Sequence, residues 1–158
     1  MVLGSIYAGF GSKEALFLQV LNCYVEQTLS KIDEYNRLAT HPLEALKDFV
    51  SDFILVDGKL ENCKVCFLVK TVSESETRHP KLHAHALSGL QKIQQKFTKL
   101  FTQAQQFELL SQKANAEQLG KRLQMQIMGL VLYSKNCAQQ QDIALMIEHI
   151  FSTFRPPS

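Results

Sequence analysis

The chain has 158 residues, 46% of them hydrophobic, and 17 Lys and Arg against 15 Asp and Glu give a net charge of +2. That is enough length for one domain with a real core, and a near-neutral balance with no polybasic run does not by itself mark a nucleic-acid binder. No stretch approaches the ~18 uninterrupted apolar residues of a membrane helix. Met1 to Gly11 lacks the basic start and apolar core of a signal peptide, and four cysteines read as thiols rather than a disulfide framework. A cytoplasmic protein with no membrane partner is expected.

The most informative stretch comes first: Gly4-Ser5-Ile6-Tyr7-Ala8-Gly9-Phe10-Gly11-Ser12-Lys13-Glu14-Ala15-Leu16. Gly11 suits a tight turn, because glycine reaches positive φ cheaply. Ser12 is a good helix N-cap, and Glu14 stands where the helix dipole favours an acid. The whole string resembles the end of the DNA-binding domain of TetR-family transcriptional regulators. There a short recognition helix reads Gly, Ser or Thr, an apolar residue, Tyr, two variable residues and Phe. A turn and a Ser-Lys-Glu-x-Leu helix start follow. Gly4, Ser5, Ile6, Tyr7, Phe10, Ser12, Lys13, Glu14 and Leu16 match without a gap; Ala8 and Gly9 depart, standing where the family often has larger residues.

The resemblance implies an all-α protein with a small DNA-binding head and a larger helical body that binds an effector and dimerises. It implies that Tyr7 and Lys13 contact phosphates, which position a protein on DNA without specifying sequence. Ser5, Ala8 and Gly9 would face the major groove, where side chains as small as Ala8 and Gly9 read little. Family members carry two helices ahead of this motif to brace it, whereas only Met1-Val2-Leu3 precede it here. Residues 1–11 are therefore expected to be a remnant head with impaired DNA binding, and residues 12–158 the body.

Helical periodicity continues through the chain, with no convincing period-2 run. The first long helix is expected from Lys13 to about Asn36, with Leu16, Val20, Cys23, Leu29 and Ile32 as its apolar stripe. Thr40-His41-Pro42 is a start signal for a helix buried through Leu46, Phe49, Val50, Phe53 and Ile54 and stopped by Asp57-Gly58. A third helix, about Cys63 to Glu76, is apolar through Val65-Cys66-Phe67-Leu68-Val69, as a central helix would be. His79-Pro80 opens a long helix to about Phe107 with Leu82, Ala86, Leu90, Ile93, Phe97, Leu100 and Ala104 on one face. A polar break at Ser111 to Asn115 precedes two last helices, about Ala116–Asn136 and Gln140–Phe154.

Cys63, Cys66, His79 and His83 have the spacing C-x2-C-x12-H-x3-H of a zinc finger. A finger needs a hairpin between its cysteines and an unbroken helix through its histidines. Here Cys63 to Glu76 reads as one helix, and Pro80 falls between the histidines, so no metal is expected. Cys66 has a second reading. Some members of the resembled family carry a reactive cysteine at the start of this helix. Lys64 and Lys70 would favour a thiolate if they lie near it, which makes Cys66 the candidate sensor thiol. Cys23 and Cys137 read as inert. No nucleophile–base set, phosphate loop or paired carboxylate stands out, so neither enzymatic activity nor a cofactor is expected.

The penultimate helix has two apolar stripes: Leu119, Leu123, Ile127 and Leu130 on one side, and Met125, Met128 and Leu132 on the other. One such face suffices for a surface helix in a monomer. The second is expected to meet a sister subunit, with Ile143, Ile147, Ile150 and Phe154 of the last helix supplying the matching surface. The reading is a regulator, most simply a repressor, with a small-molecule or electrophile effector and operator DNA as partners of the intact homodimer. The competing reading is a helical ligand-binding or interaction protein that does not bind DNA.

Overall fold

The computed structural model describes residues 12–55, 66–136 and 139–155. Among these there are six helices and no strand: α1 (Lys13–Leu38), α2 (Pro42–Ile54), α3 (Cys66–Ser75), α4 (Pro80–Gln106), α5 (Ala116–Asn136) and α6 (Gln140–Ser152).

Local chemistry sets the helix ends. The Ser12 hydroxyl accepts from the Ala15 N–H at 3.1 Å and caps α1. At α2, Pro42 fills the first helical position, and the His41 ring, through Nδ1, accepts from the Glu44 N–H at 3.1 Å. Glu44 in turn accepts from the Thr40 N–H at 2.8 Å and from its hydroxyl. Those two bonds from Thr40 hold the Glu44 carboxyl below its ordinary pKa. Pro80 opens α4 with His79 as its cap residue, and the Asn115 side chain accepts from the Gln118 N–H at 3.0 Å to start α5. The end of α4 closes through paired 3.0 Å bonds, Leu109 N–H to the Ala104 carbonyl and Glu108 N–H to that of Gln105. That pattern places Glu108 in the left-handed region at φ 59°.

The 27-residue α4 is the centre of the bundle. It packs against α1, α2, α3 and α5, while α6 closes the far side against α2 and α5. Its buried stripe, Leu82, Ala86, Gly89, Ile93, Phe97, Leu100 and Ala104, keeps the three-and-four spacing of one helical face. Two glycines allow close approach. A methyl group built on Gly89 would lie 2.6 Å from a Val25 methyl and 3.5 Å from Leu68. One on Gly120 would lie 2.4 Å from the Thr98 hydroxyl and 3.2 Å from the Gln94 carbonyl. The first contact marks the crossing of α1, α3 and α4, and the second seats α5 on α4. Beyond its crossing, α1 runs parallel to α4 and is tied to it by Asp33–Lys96 at 2.7 Å and Asn36–Gln103 at 3.0 Å.

Two expectations need correction. The buried stripe of α1 is Leu21, Val25, Thr28 and Ile32. Leu16 and Leu29 are half-buried, while Val20 and Cys23 face outward. The inward register includes a threonine, tolerated because its hydroxyl donates to the Tyr24 carbonyl at 2.8 Å. On α6, Ile143, Ile147 and Ile150 are buried in the core of their own chain, as is Phe154 just beyond it. Phe154 packs on Phe101 with ring centres 5.0 Å apart, under the Arg122 guanidinium at 4.8 Å. These four residues cannot form an outer surface. They anchor α6 inward, each fully buried side chain contributing ~1.5–3 kcal/mol.

Candidate functional site

A cavity lies in the middle of the bundle, where five helices converge. Tyr24 comes from α1, Phe49 and Phe53 from α2, and Leu68 and Val69 from α3. Leu90, Ile93 and Phe97 come from α4, and Gln124, Ile127 and Met128 from α5. Among the described residues no charged side chain lines it. Its space free to water is only about 20 Å³, close to what one water molecule needs. The Phe49 ring in its wall is stacked on Phe53 at 5.0 Å and lies 6.2 Å from Phe97.

An outer cleft of about 350 Å³, lined by residues of α1 and α2, shares Tyr24, Phe49 and Phe53 with the cavity. That volume lies at the lower end of the ~300–1,000 Å³ of small-molecule sites. The cleft adds polar groups: Gln27, Thr28, Lys31, Tyr35 and Asp52. The Tyr35 hydroxyl donates to Asp52, and the Lys31 ammonium lies 5.5 Å from the centre of the Tyr35 ring. Partial burial, and then the bond to Asp52, push the Tyr35 phenol well above the ordinary tyrosine range. It therefore remains a donor throughout the physiological range. On the flank of α2, burial and then the charges of Glu44 and Asp52 raise the Asp48 carboxyl.

Gln124 is the polar residue best buried in the cavity wall, at 7% exposed. Thr28 and Thr71, about as buried, both donate to helix carbonyls, and the buried side-chain atom without a partner among the described residues is Gln126 Oε1. No local sequence spacing singled out Gln124; the only available signal was a glutamine on a helix face otherwise read as apolar.

Of the residues expected to meet DNA, Lys13 is exposed at the first position of α1, and Ser5, Tyr7, Ala8 and Gly9 lie outside the described residues. Cys66 is the first residue of α3, and its side chain lies outside the description. In the zinc-like spacing, Cys63 is likewise outside. His79 caps α4 without a side-chain cap bond, and His83 Nδ1 lies 2.9 Å from the Val72 carbonyl of α3. Among the described residues no cluster of three metal-ligating side chains occurs, and no helix is long and apolar enough to cross a membrane.

The structure divides the expected dimer residues. Met125 and Leu132 are 71% and 62% exposed on α5, while Met128 is half-buried and borders the cavity. Leu145 and Met146 of α6 are also exposed, as is Tyr133 of α5. Gly129 lies among the exposed residues of α5, with no atom within 4 Å of where its Cβ would stand. Leu145 and Met146 went unread in the sequence because they flank the more regular isoleucine stripe, which the core uses.

The described residues form a helical body with a small central pocket, a leading helix that lines it, and an exposed apolar face on the last two helices. The protein-family model described as "Tetracyclin repressor-like, C-terminal domain" matches residues 42–150. The chain belongs to the TetR family of transcriptional regulators. It is similar in fold to a solved structure, the TetR-family transcriptional regulator from Cytophaga hutchinsonii, with a TM-score of 0.80. The two are 17% identical, and the match covers 100% of this chain and 80% of that one. No curated protein matches the chain in sequence.

Proposed function

We propose that this regulator is a cytoplasmic, homodimeric repressor that gives up operator DNA when a small molecule occupies the paired chambers. The observation that carries the reading is the position of Tyr24. It lines both chambers and sits beside the Val25–Gly89 crossing on α1, the helix that leads back to the recognition segment. Matter inserted between Tyr24 and α4 changes the angle at which α1 leaves that crossing. Two such bodies in a dimer would then change the spacing of two reading heads. Coupling of this kind is typically ~1–3 kcal/mol. Ser5, Tyr7, Ala8, Gly9 and Lys13 are the DNA-facing set in this reading.

Dimerisation is supported by the exposed face of Met125, Gly129, Leu132 and Tyr133 on α5 with Leu145 and Met146 on α6. A mid-helix glycine costs ~1 kcal/mol relative to alanine, and among the described residues Gly129 permits no close contact that would offset this. A second helix crossing there would. Met125→Glu and Leu145→Asp are therefore expected to give monomers by sedimentation at micromolar concentration where the unmodified chain is a dimer. A monomeric unmodified chain overturns this part. Deleting the coding sequence should raise transcription of adjoining genes. A fall would reverse the sign of regulation, and no change would favour the reading without DNA binding.

A second effector chemistry, an electrophile, has one observation in its favour. Cys66 lies on α3. Its neighbours along α3, Leu68 and Val69, line the cavity.

A further inference from the structure

We infer that the outer cleft takes an organic cation, an amine or quaternary ammonium with an apolar arm, seated on aromatic rings beside the Asp52 carboxylate. The inference rests on the reading of the paired chambers as the effector site, and it names the class of molecule that fits the outer one. One face of α1, from Tyr24 to Tyr35, and one of α2, from Phe49 to Phe53, build this cleft. Four of its eight lining residues are aromatic: Tyr24, Tyr35, Phe49 and Phe53. Ring faces attract cations. Phe49 and Phe53 line the inner cavity as well, so an apolar arm on the cation has a wall to follow inward.

The two charged residues of the cleft, Lys31 and Asp52, are not equivalent. The Lys31 ammonium already has a partner in Glu34, at 3.5 Å. It also lies 5.5 Å from the centre of the Tyr35 ring, which shows a cation held against this wall. Asp52 accepts a hydrogen bond from the Tyr35 hydroxyl, and among the described residues it is paired with no cation. A carboxylate has about four acceptor positions, so most of its capacity is left for a ligand. The surrounding field has the same sign. Beyond burial and the bond to Asp52, the charges of Asp52, Asp48 and Glu34 all oppose loss of the Tyr35 proton. An anion drawn to Lys31 would meet these carboxylates, and a neutral molecule would gain nothing from them. A cation is attracted both by the acids and by the rings.

Benzyltrimethylammonium, N-benzylacetamide and phenylmethanesulfonate carry head groups of like size on one benzyl arm and are cation, neutral and anion. The chain has no tryptophan and four tyrosines, two of them in the cleft wall, so titrations can follow tyrosine emission without indole background. The unmodified chain should bind the cation about two- to thirtyfold more tightly than the amide, the range of one cation–π contact, and the sulfonate least. Asp52→Asn, whose amide oxygen can still accept from Tyr35, should weaken the cation and leave N-benzylacetamide unchanged. Asp142→Asn, the same change of charge at an exposed position of α6, should leave all three unchanged. A cation held no better than the amide, or undiminished in Asp52→Asn, overturns the cation class and leaves the cleft standing as a ligand site. An equal loss in Asp142→Asn overturns it too, since the attraction is then the field of the whole chain. Tightest binding of the sulfonate overturns it in favour of Lys31. Failure of all three probes to bind overturns the reading of the cleft as an effector site.

Discussion

Replacing Gly120 with alanine should destabilise the protein, although alanine is the better helix former. The helix-propensity gain is ~0.8–1 kcal/mol. Against it stands the seat of α5 on α4. The new methyl would lie 2.4 Å from Thr98 Oγ1, 3.1 Å from the Thr98 nitrogen and 3.2 Å from the Gln94 carbonyl oxygen. Two of these neighbours are backbone atoms, which move only if α4 moves. The third donates to the Gln94 carbonyl at 3.2 Å and belongs to a β-branched side chain with few rotamers. Overpacking of this kind costs ~1–3 kcal/mol, and contacts with two backbone atoms put it in the upper part of that range, so a net loss of up to about 2 kcal/mol is expected. Urea unfolding should show it as a midpoint lowered by up to roughly 1 M at unchanged slope. Adding Thr98→Ala should recover part of the loss, because it removes the hydroxyl contact but neither backbone contact. A Gly120→Ala variant as stable as the unmodified chain, or more so, would refute the close seat of α5 on α4.

Gly89→Ala should also destabilise, but with near-complete rescue by Val25→Ala in a double-mutant unfolding cycle, since its closest neighbour is a side-chain methyl. Glu108→Gly should raise stability by about 0.5–1 kcal/mol in the same assay, by relieving an L-residue from the left-handed region. Asp48→Asn should raise the unfolding midpoint at neutral pH, and the gain should fade as pH falls through the raised native pKa and be gone below the ordinary aspartate range. The native pKa of Asp48 is raised. Its ionised form is thus the less favourable one in the folded state, and the protonated side chain no longer differs in charge from asparagine. If Cys66 is the sensor thiol, brief substoichiometric alkylation followed by mass spectrometry should label it ahead of the exposed Cys23; the reverse order would remove the electrophile reading.

The helix boundaries were legible because single residues encode them. Ser12, His41-Pro42 and Pro80 each fix a start through a cap bond or a missing N–H, and the structure begins α1, α2 and α4 there. The stripe of α4 was equally plain, since a central helix repeats its spacing over many turns. The rotation of α1 was not. Leu16-Val20-Cys23 and Leu21-Val25-Thr28 are both helical stripes, one rotation step apart. The choice between them depends on Gly89 across the bundle and on a threonine satisfied by its own helix. On α6 both faces are apolar, and no local pattern says that Ile143 faces in while Leu145 faces out. The cavity could not be read at all. Its wall is assembled from five helices, and no pattern along any one of them marks it.

The near-closure of the inner cavity has a temporal consequence. On the proposed reading that this cavity takes the effector, about 20 Å³ of free space means that a ligand enters only when side chains of the wall rearrange. The apparent affinity is then the intrinsic affinity reduced by the fraction of time the open form exists. Arrival is gated below the ~10⁵–10⁷ M⁻¹s⁻¹ of ordinary docking, and departure has to pass the same gate. A receptor built this way averages its surroundings. Brief pulses of effector pass before the gate opens often enough to admit them, and sustained exposure, once registered, outlasts the disappearance of its cause.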